Sequence, residues 1–212
     1  NHPLPDDWEN YYNETELQHF FDCLDDDANR HHREQQRVLF KVLALTGMRE
    51  GELMALTWAN VDLTDDVIHI KATTANKVEG YGLQSPKTAS SIRSIDITSD
   101  TARLLKKWQL QQRQLLLMQG FNANGKDQLV FSNRENKHLR QGTLRLWLVR
   151  IIDKYELKYI TVHGLRHSYA SLLFASDVNI KAISKLMGHT DIKVTMDKYT
   201  HLYANAKKEA VQ

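Results

Sequence analysis

The stretch Val38-Leu39-Phe40-Lys41-Val42-Leu43-Ala44-Leu45 constrains the fold of this chain more than any other. It lies within a helical pattern running from Glu34 to Thr46, and Gly47 stops it. A helix apolar on nearly every side must be largely buried, so other elements have to cover it. Upstream, Leu17, Phe20, Phe21 and Leu24 have the spacing of an amphipathic helix over residues 15–24. Downstream, "EGELMAL" reads as a short helix, and "DDVIHIKA" has the alternation and β-branching of a strand. "YGLQSPKTASSIRSIDI" reads as two further strands around a polar turn punctuated by Pro86 and Ser90-Ser91. A long helix is expected from Ser99, as N-cap, to Met118, with Leu104, Trp108 and Leu115 near one face and Gly120 closing it. "QLVFS" reads as a short strand and "QGTLRLWLVRIIDKYEL" as another helix. The expected fold class is mainly α with a small antiparallel β-sheet (α+β). With 212 residues, three prolines and no internal repeat, a single domain is expected.

Composition excludes several classes of function. With 42% hydrophobic and 25% charged residues, every apolar run is broken by charge well short of the roughly 20 residues needed to span a bilayer. No membrane segment is expected. The single Cys23 leaves no cysteine pair for an internal disulfide or a zinc site, which suits a reducing cytoplasm. The polar, acidic start "NHPLPDDWENYY" does not read as a signal peptide. The net charge of +2 hides an asymmetry: residues 1–29 hold nine acidic side chains and no lysine or arginine, so the rest carries +11. A basic body of this kind fits a polyanionic partner.

The densest chemistry lies in residues 162–202, "VHGLRHSYASLLFASDVNIKAISKLMGHTDIKVTMDKYTHL". If residues 163–175 are helical, Leu165, Tyr169 and Leu172 share one face, and His163, Arg166, His167 and Ala170 take the opposite one, away from the core stripe. Asn179 caps a following helix that buries Ile180, Ile183 and Met187 and stops at Gly188, with His189 next. A further helix is expected to start at Asp191, placing Ile192, Met196 and Tyr199 on one face. Periodicity alone makes Tyr199 a core residue. Two helices joined by a tight turn also fit a non-catalytic helix-turn-helix that reads a major groove. His163, His167 and His189 together could ligate zinc, but the helix lacks the glutamate of a His-Glu-x-x-His site. Elsewhere, Arg49 follows directly on the stop of the buried helix, where a guanidinium is costly unless it meets an anion. Glu52, three residues on, is the obvious partner.

Four motifs in order resemble the catalytic domain of the tyrosine recombinases, the phage integrase family. They are Thr46-Gly47-Met48-Arg49-Glu50-Gly51-Glu52-Leu53, His163-Gly164-Leu165-Arg166-His167, Leu186-Met187-Gly188-His189 and Tyr199-Thr200-His201. The resemblance covers residues 17–202. It implies a metal- and ATP-independent enzyme that cuts a DNA strand by tyrosine attack on a backbone phosphate and rejoins it through a 3′-phosphotyrosine intermediate. On that pattern Tyr199 is the nucleophile, Arg49 and Arg166 clamp the phosphate, and His163 and His189 are imidazole partners of the phosphate and the phenol. Lys87 protonates the leaving 5′-oxygen, and Glu52 holds the first arginine in place. No cofactor is implied. The implied partner is double-stranded DNA carrying attachment or recombination sites, bound by a homotetramer of the full-length protein with an accessory DNA-bending or directionality factor, in the cytoplasm of a bacterial host.

Within the family, the long "TTANKVEGYGLQSPKTASS" region favours an integrase of a phage or conjugative element over a chromosome-dimer-resolving recombinase. A type IB topoisomerase shares the chemistry. Asn60 stands where relatives often carry aspartate, a departure expected to touch packing. Relatives precede this domain with a core-binding domain and often an arm-binding domain. Neither pattern is found in these 212 residues, and the chain begins without methionine. The expectation is a catalytic fragment, with residues 1–14 as linker and 15–212 as catalytic domain.

Overall fold

The computed structural model describes residues 8–31, 33–77, 80–84, 92–140, 142–176, 178–188 and 193; for residues 31, 75–77 and 80–84 the description covers the backbone. Helix α1, Glu14–His31, opens on a reciprocal cap. The Asn13 N–H donates to Glu16 Oε2, and the Glu16 N–H donates to Asn13 Oδ1, each at 2.9 Å. Leu17, Phe20 and Leu24 are buried as their spacing requires, and Phe21 is half-buried against the core. The helix continues seven residues past Leu24, where its inward positions are Asp27 and Ala28, a polar continuation that apolar periodicity does not register.

Helix α2, Glu34–Thr46, is the centre of the molecule, packed by α1 and by three helices from later in the chain. Val38, Leu39, Phe40, Val42, Leu43 and Ala44 are all buried. Gly47 ends it at φ +61°, its N–H donating to Leu43 O at 3.0 Å. A Cβ there would lie 2.3 Å from the Tyr169 ring, so conformation and space both require glycine. Helix α3, Glu50–Met54, follows. Asn60 closes a 3-10 turn, Trp58–Asn60, and its side chain donates to Thr57 Oγ1 at 3.2 Å.

The described strands form an antiparallel three-stranded sheet and a two-stranded ribbon. The sheet joins β1 (Val61–Asp62), β2 (Val67–Ile70) and β5 (Arg93–Asp96) in the order β1-β2-β5, with Ile68 opposite Ile95 and Ile70 opposite Arg93. The ribbon pairs β3 (Thr73–Lys77) with β4 (Gly80–Gln84). The two strands expected in residues 81–97 therefore exist but do not pair with each other. The strand that takes β4, "TTANK", is polar, so apolar alternation does not register it, and it pairs with β4 through a five-residue ladder.

Helix α4, Ser99–Met118, is capped one residue earlier than expected: Thr98 is extended, and its hydroxyl accepts from the Thr101 N–H. Its inward stripe is Leu105, Trp108, Gln112 and Leu116 rather than Leu104, Trp108 and Leu115. Leu104 is half-buried and Leu115 exposed. Gln112 misled the pattern because its amide is satisfied inside: it donates to Leu129 O and Val130 O and accepts from Trp58 Nε1. "QLVFS" is buried but is not a ladder strand. It makes a single bridge, Thr57 to Leu129, and two of its carbonyls receive the Gln112 and Trp108 side chains.

Helices α5 (Thr143–Tyr155), α6 (Val162–Ala175) and α7 (Ile180–Leu186) complete the described body. Ile183 and Met187 are buried and Ile180 is half-buried. The helix expected from Asp191 lies outside the described residues. Residues 8–13 lie across the body. Trp8 Nε1 donates to Tyr159 O, Asn10 brackets Thr161 from both ends of its amide, and the Tyr12 N–H donates to Ser168 Oγ. Among the described residues no helix is long and apolar enough to cross a membrane.

Candidate active site

Side chains from three elements, β5, α6 and the N-cap of α3, converge on the end of α7. The last carbonyls of a helix have no partner within it and carry the negative end of its dipole. Here three successive ones each receive a different arginine. Leu186 O accepts from Arg93 Nε at 3.3 Å, Met187 O from Arg166 Nη2, and Gly188 O from Arg49 Nη2 at 3.3 Å. Gly188 adopts φ +63°, and a Cβ on it would sit 3.1 Å from the Arg93 side chain.

Arg166 is the correction to the sequence reading. Placed by its spacing on the face of α6 away from the core stripe, it is only 2% exposed, and Ala170 one turn on is fully buried. Helix α6 packs against α2 on one side and α7 on another, so the face opposite the Leu165 stripe is covered too. Arg166 Nη1 donates to Gly47 O at 2.5 Å, which ties the stop of α2 to the end of α7. His163, in the first turn of α6, is exposed, and its ring meets His167 edge to face at 4.6 Å between centroids.

Arg49 and Glu52 form the expected pair. Glu52 Oε2 accepts from the Arg49 N–H at 2.8 Å, and Oε1 from Arg49 Nη1 at 2.9 Å. The same carboxylate is gripped by Arg93, whose Nη1 and Nη2 donate to its two oxygens at 2.9 and 3.0 Å. Arg93 was missed because it stands in a strand-like run with no motif around it; its register opposite Ile70 carries it to the site. Burial pushes the Glu52 carboxyl up, but the hydrogen bonds and charges of Arg93 and then Arg49 outweigh it and hold the group below the usual carboxylate range. Glu52 is therefore ionised at neutral pH. Arg49 and Arg93 share the single negative charge of Glu52, and with Arg166 at the same helix end the cluster is net positive. Arg49, its side chain 38% exposed, is the one that faces solvent, whereas Arg93 is 9% exposed.

The Tyr169 ring packs against Gly47, whose carbonyl accepts from Arg166. Burial, then the charge of Asp96, pushes the pKa of the Tyr169 phenol up, opposite to what a nucleophile needs. Lys87, His189 and Tyr199 lie outside the described residues. Of the expected set, the structure brings Arg49, Glu52 and Arg166 together and adds Arg93.

A sequence profile of the phage integrase family matches residues 11–206. The chain belongs to the phage integrase family. Relatives within it include the integrase of Staphylococcus phage L54a, 32% identical over an alignment of 212 positions that covers 95% of this chain and 59% of that protein. The ICEBs1 integrase of Bacillus subtilis is 30% identical over 181 residues, 82% of this chain and 48% of that protein. The chain thus spans about half the length of the curated relatives it matches. Among solved structures, the Tn1549 transposon integrase in complex with circular intermediate DNA superposes with a TM-score of 0.74 at 21% identity, covering 99% of this chain and 70% of that one. The XerA recombinase superposes with a TM-score of 0.70 at 21% identity, covering 99% and 65%. The mainly α fold with its small antiparallel sheet is therefore that of the integrase and recombinase catalytic domains.

Proposed function

We propose that this chain is the catalytic domain of a site-specific DNA recombinase that cleaves and rejoins strands through a 3′-phosphotyrosine, serving integration and excision of a mobile element. The observation that carries this reading is the convergence of Arg49 and Arg166, from distant parts of the chain, on one helix end in a net positive cluster with an exposed guanidinium. A phosphodiester under attack gains negative charge, and fixed guanidiniums stabilise that charge without a metal. A phenol of pKa about 10 is only about one part in a thousand ionised at pH 7, a handicap of about 4 kcal/mol. Tyr199, as nucleophile, needs the positive field and the imidazoles of His163 and His189. Lys87 protonates the 5′-oxygen as it leaves. The phosphotyrosine keeps the energy of the broken bond, so rejoining requires no ATP.

In this reading residues 15–212 are the catalytic domain and residues 1–14 lead into it. The partner is double-stranded DNA in the bacterial cytoplasm, recombined by a homotetramer of the full-length protein with an accessory bending or directionality factor. The Tn1549 integrase was solved in complex with DNA, and the L54a and ICEBs1 relatives are integrases, which favours a mobile-element role.

The test uses a duplex nicked just 3′ of the scissile phosphate, so that the cut strand diffuses away and a covalent complex accumulates. On a denaturing gel in chelator, the wild-type chain should give a protein–DNA band and Tyr199→Phe none. A band that survives Tyr199→Phe would remove that residue as nucleophile. A chain that binds the duplex yet gives no band, even with the preceding domains restored, would remove the recombinase reading.

A further inference from the structure

We propose that Arg93 is a positioning residue of the phosphate site, acting through Glu52 on Arg49 and through the end of α7. The inference rests on the recombinase reading above. Arg93 does not itself offer its fork to a phosphate. Nη1 and Nη2 are spent on the two oxygens of Glu52, Nε on Leu186 O, and the side chain is almost wholly covered. Its work is done inside the protein.

That work has two parts. The first is electrostatic. Glu52 Oε1 is shared by Arg49 Nη1 and Arg93 Nη1, so one negative charge is divided between two guanidiniums and Arg49 keeps positive charge for an anion. Without Arg93, the carboxylate pairs with Arg49 alone, and the pair is neutral. The second part is geometric. Arg93 is held by the β2–β5 ladder opposite Ile70, so it fixes the carboxylate relative to the sheet. The same guanidinium lies against Gly188 and holds the carbonyl of Leu186. Leu186, Met187 and Gly188 lead directly into His189 in the sequence. A lysine, with a single ammonium, cannot grip both carboxylate oxygens and the helix end at once.

The experiment measures single-turnover formation of the covalent complex by the full chain on two nicked duplexes. One carries an ordinary scissile phosphodiester. In the other a methylphosphonate replaces it, removing the negative charge that the arginines neutralise. Arg93→Lys and Arg93→Gln are compared with wild type, with thermal melting and DNA affinity measured for each. The expected result is a loss of about 100-fold on the phosphodiester for both variants, the size of penalty that small misplacements of fixed groups produce. DNA affinity should stay within a few-fold, and the loss should shrink below about 10-fold on the methylphosphonate. Arg93→Lys retains the stem and the charge, which guards against a variant that fails only by not folding. Equal losses on both substrates, or a wild-type rate for Arg93→Lys, would overturn the proposal. If wild type forms no covalent complex on the phosphodiester, even with the preceding domains restored, the recombinase reading fails before the variants are compared, and the inference falls with it.

Discussion

Gly47 and Glu52 show how single residues set this site. Gly47 must adopt φ +61°, leave room for the Tyr169 ring and present its carbonyl to Arg166. Gly47→Ala should destabilise the chain by about 2–4 kcal/mol, combining left-handed strain with a clash that the ring has to relieve, and a urea midpoint will measure it. Glu52 supplies a pH signature. Its folded pKa is depressed, so its contribution to stability is present above the unfolded value of about 4.3 and is lost as pH falls through the folded value. Glu52→Gln should therefore be clearly less stable than wild type at pH 7, with the difference shrinking below about pH 4. A difference that is constant across this range would contradict the ionised carboxylate. The Arg49–Glu52 pair was legible from a three-residue spacing. Arg93 was not, because nothing local in "SIRSIDI" says that its side chain meets a residue 41 positions earlier.

Elements are locked together by a second charged hub, far from any motif. Asp27 on α1 is buried, and it accepts from Arg33 ahead of α2 and from Arg150 and Lys154 on α5. Burial pushes its carboxyl up, and these three cations, Arg150 first, pull it well below the usual range. Asp27→Asn should cost about 3 kcal/mol, at the lower end for breaking a buried ion pair because its partners are each about a third exposed. Calorimetry will show whether the melting temperature falls accordingly. The start of α6 depends on a smaller device: the Thr161 hydroxyl accepts from the Gly164 N–H while Asn10 holds Thr161. Thr161→Ala should cost about 1 kcal/mol. Helices whose inward faces are purely apolar, α1 through Leu24 and α2 above all, were readable from spacing. The face of α4 was misjudged because Gln112 occupies a core position, and β3 was missed because its sequence, "TTANK", has no apolar alternation.

For the whole molecule, charge distribution gives the broadest expectation. The acidic first 29 residues and the basic remainder suit a body that meets phosphates, and each phosphate contact releases counterions from DNA. This chain by itself should bind duplex DNA weakly, with affinity falling steeply and linearly on a log–log plot against salt. Nanomolar binding at physiological salt would mean that the 212 residues already hold the full DNA-binding surface. The order of motifs along the chain, the need for a buried central helix and the pairing of Arg49 with Glu52 were determined by sequence, because each rests on near neighbours or on apolar period. Only the tertiary structure decided that Arg166 is buried, that α6 is covered on both sides, and that Arg49, Arg93 and Arg166 bond three successive carbonyls where α7 ends. Those facts depend on which helix end faces which strand, and such long-range packing leaves no periodicity in the residues that make it.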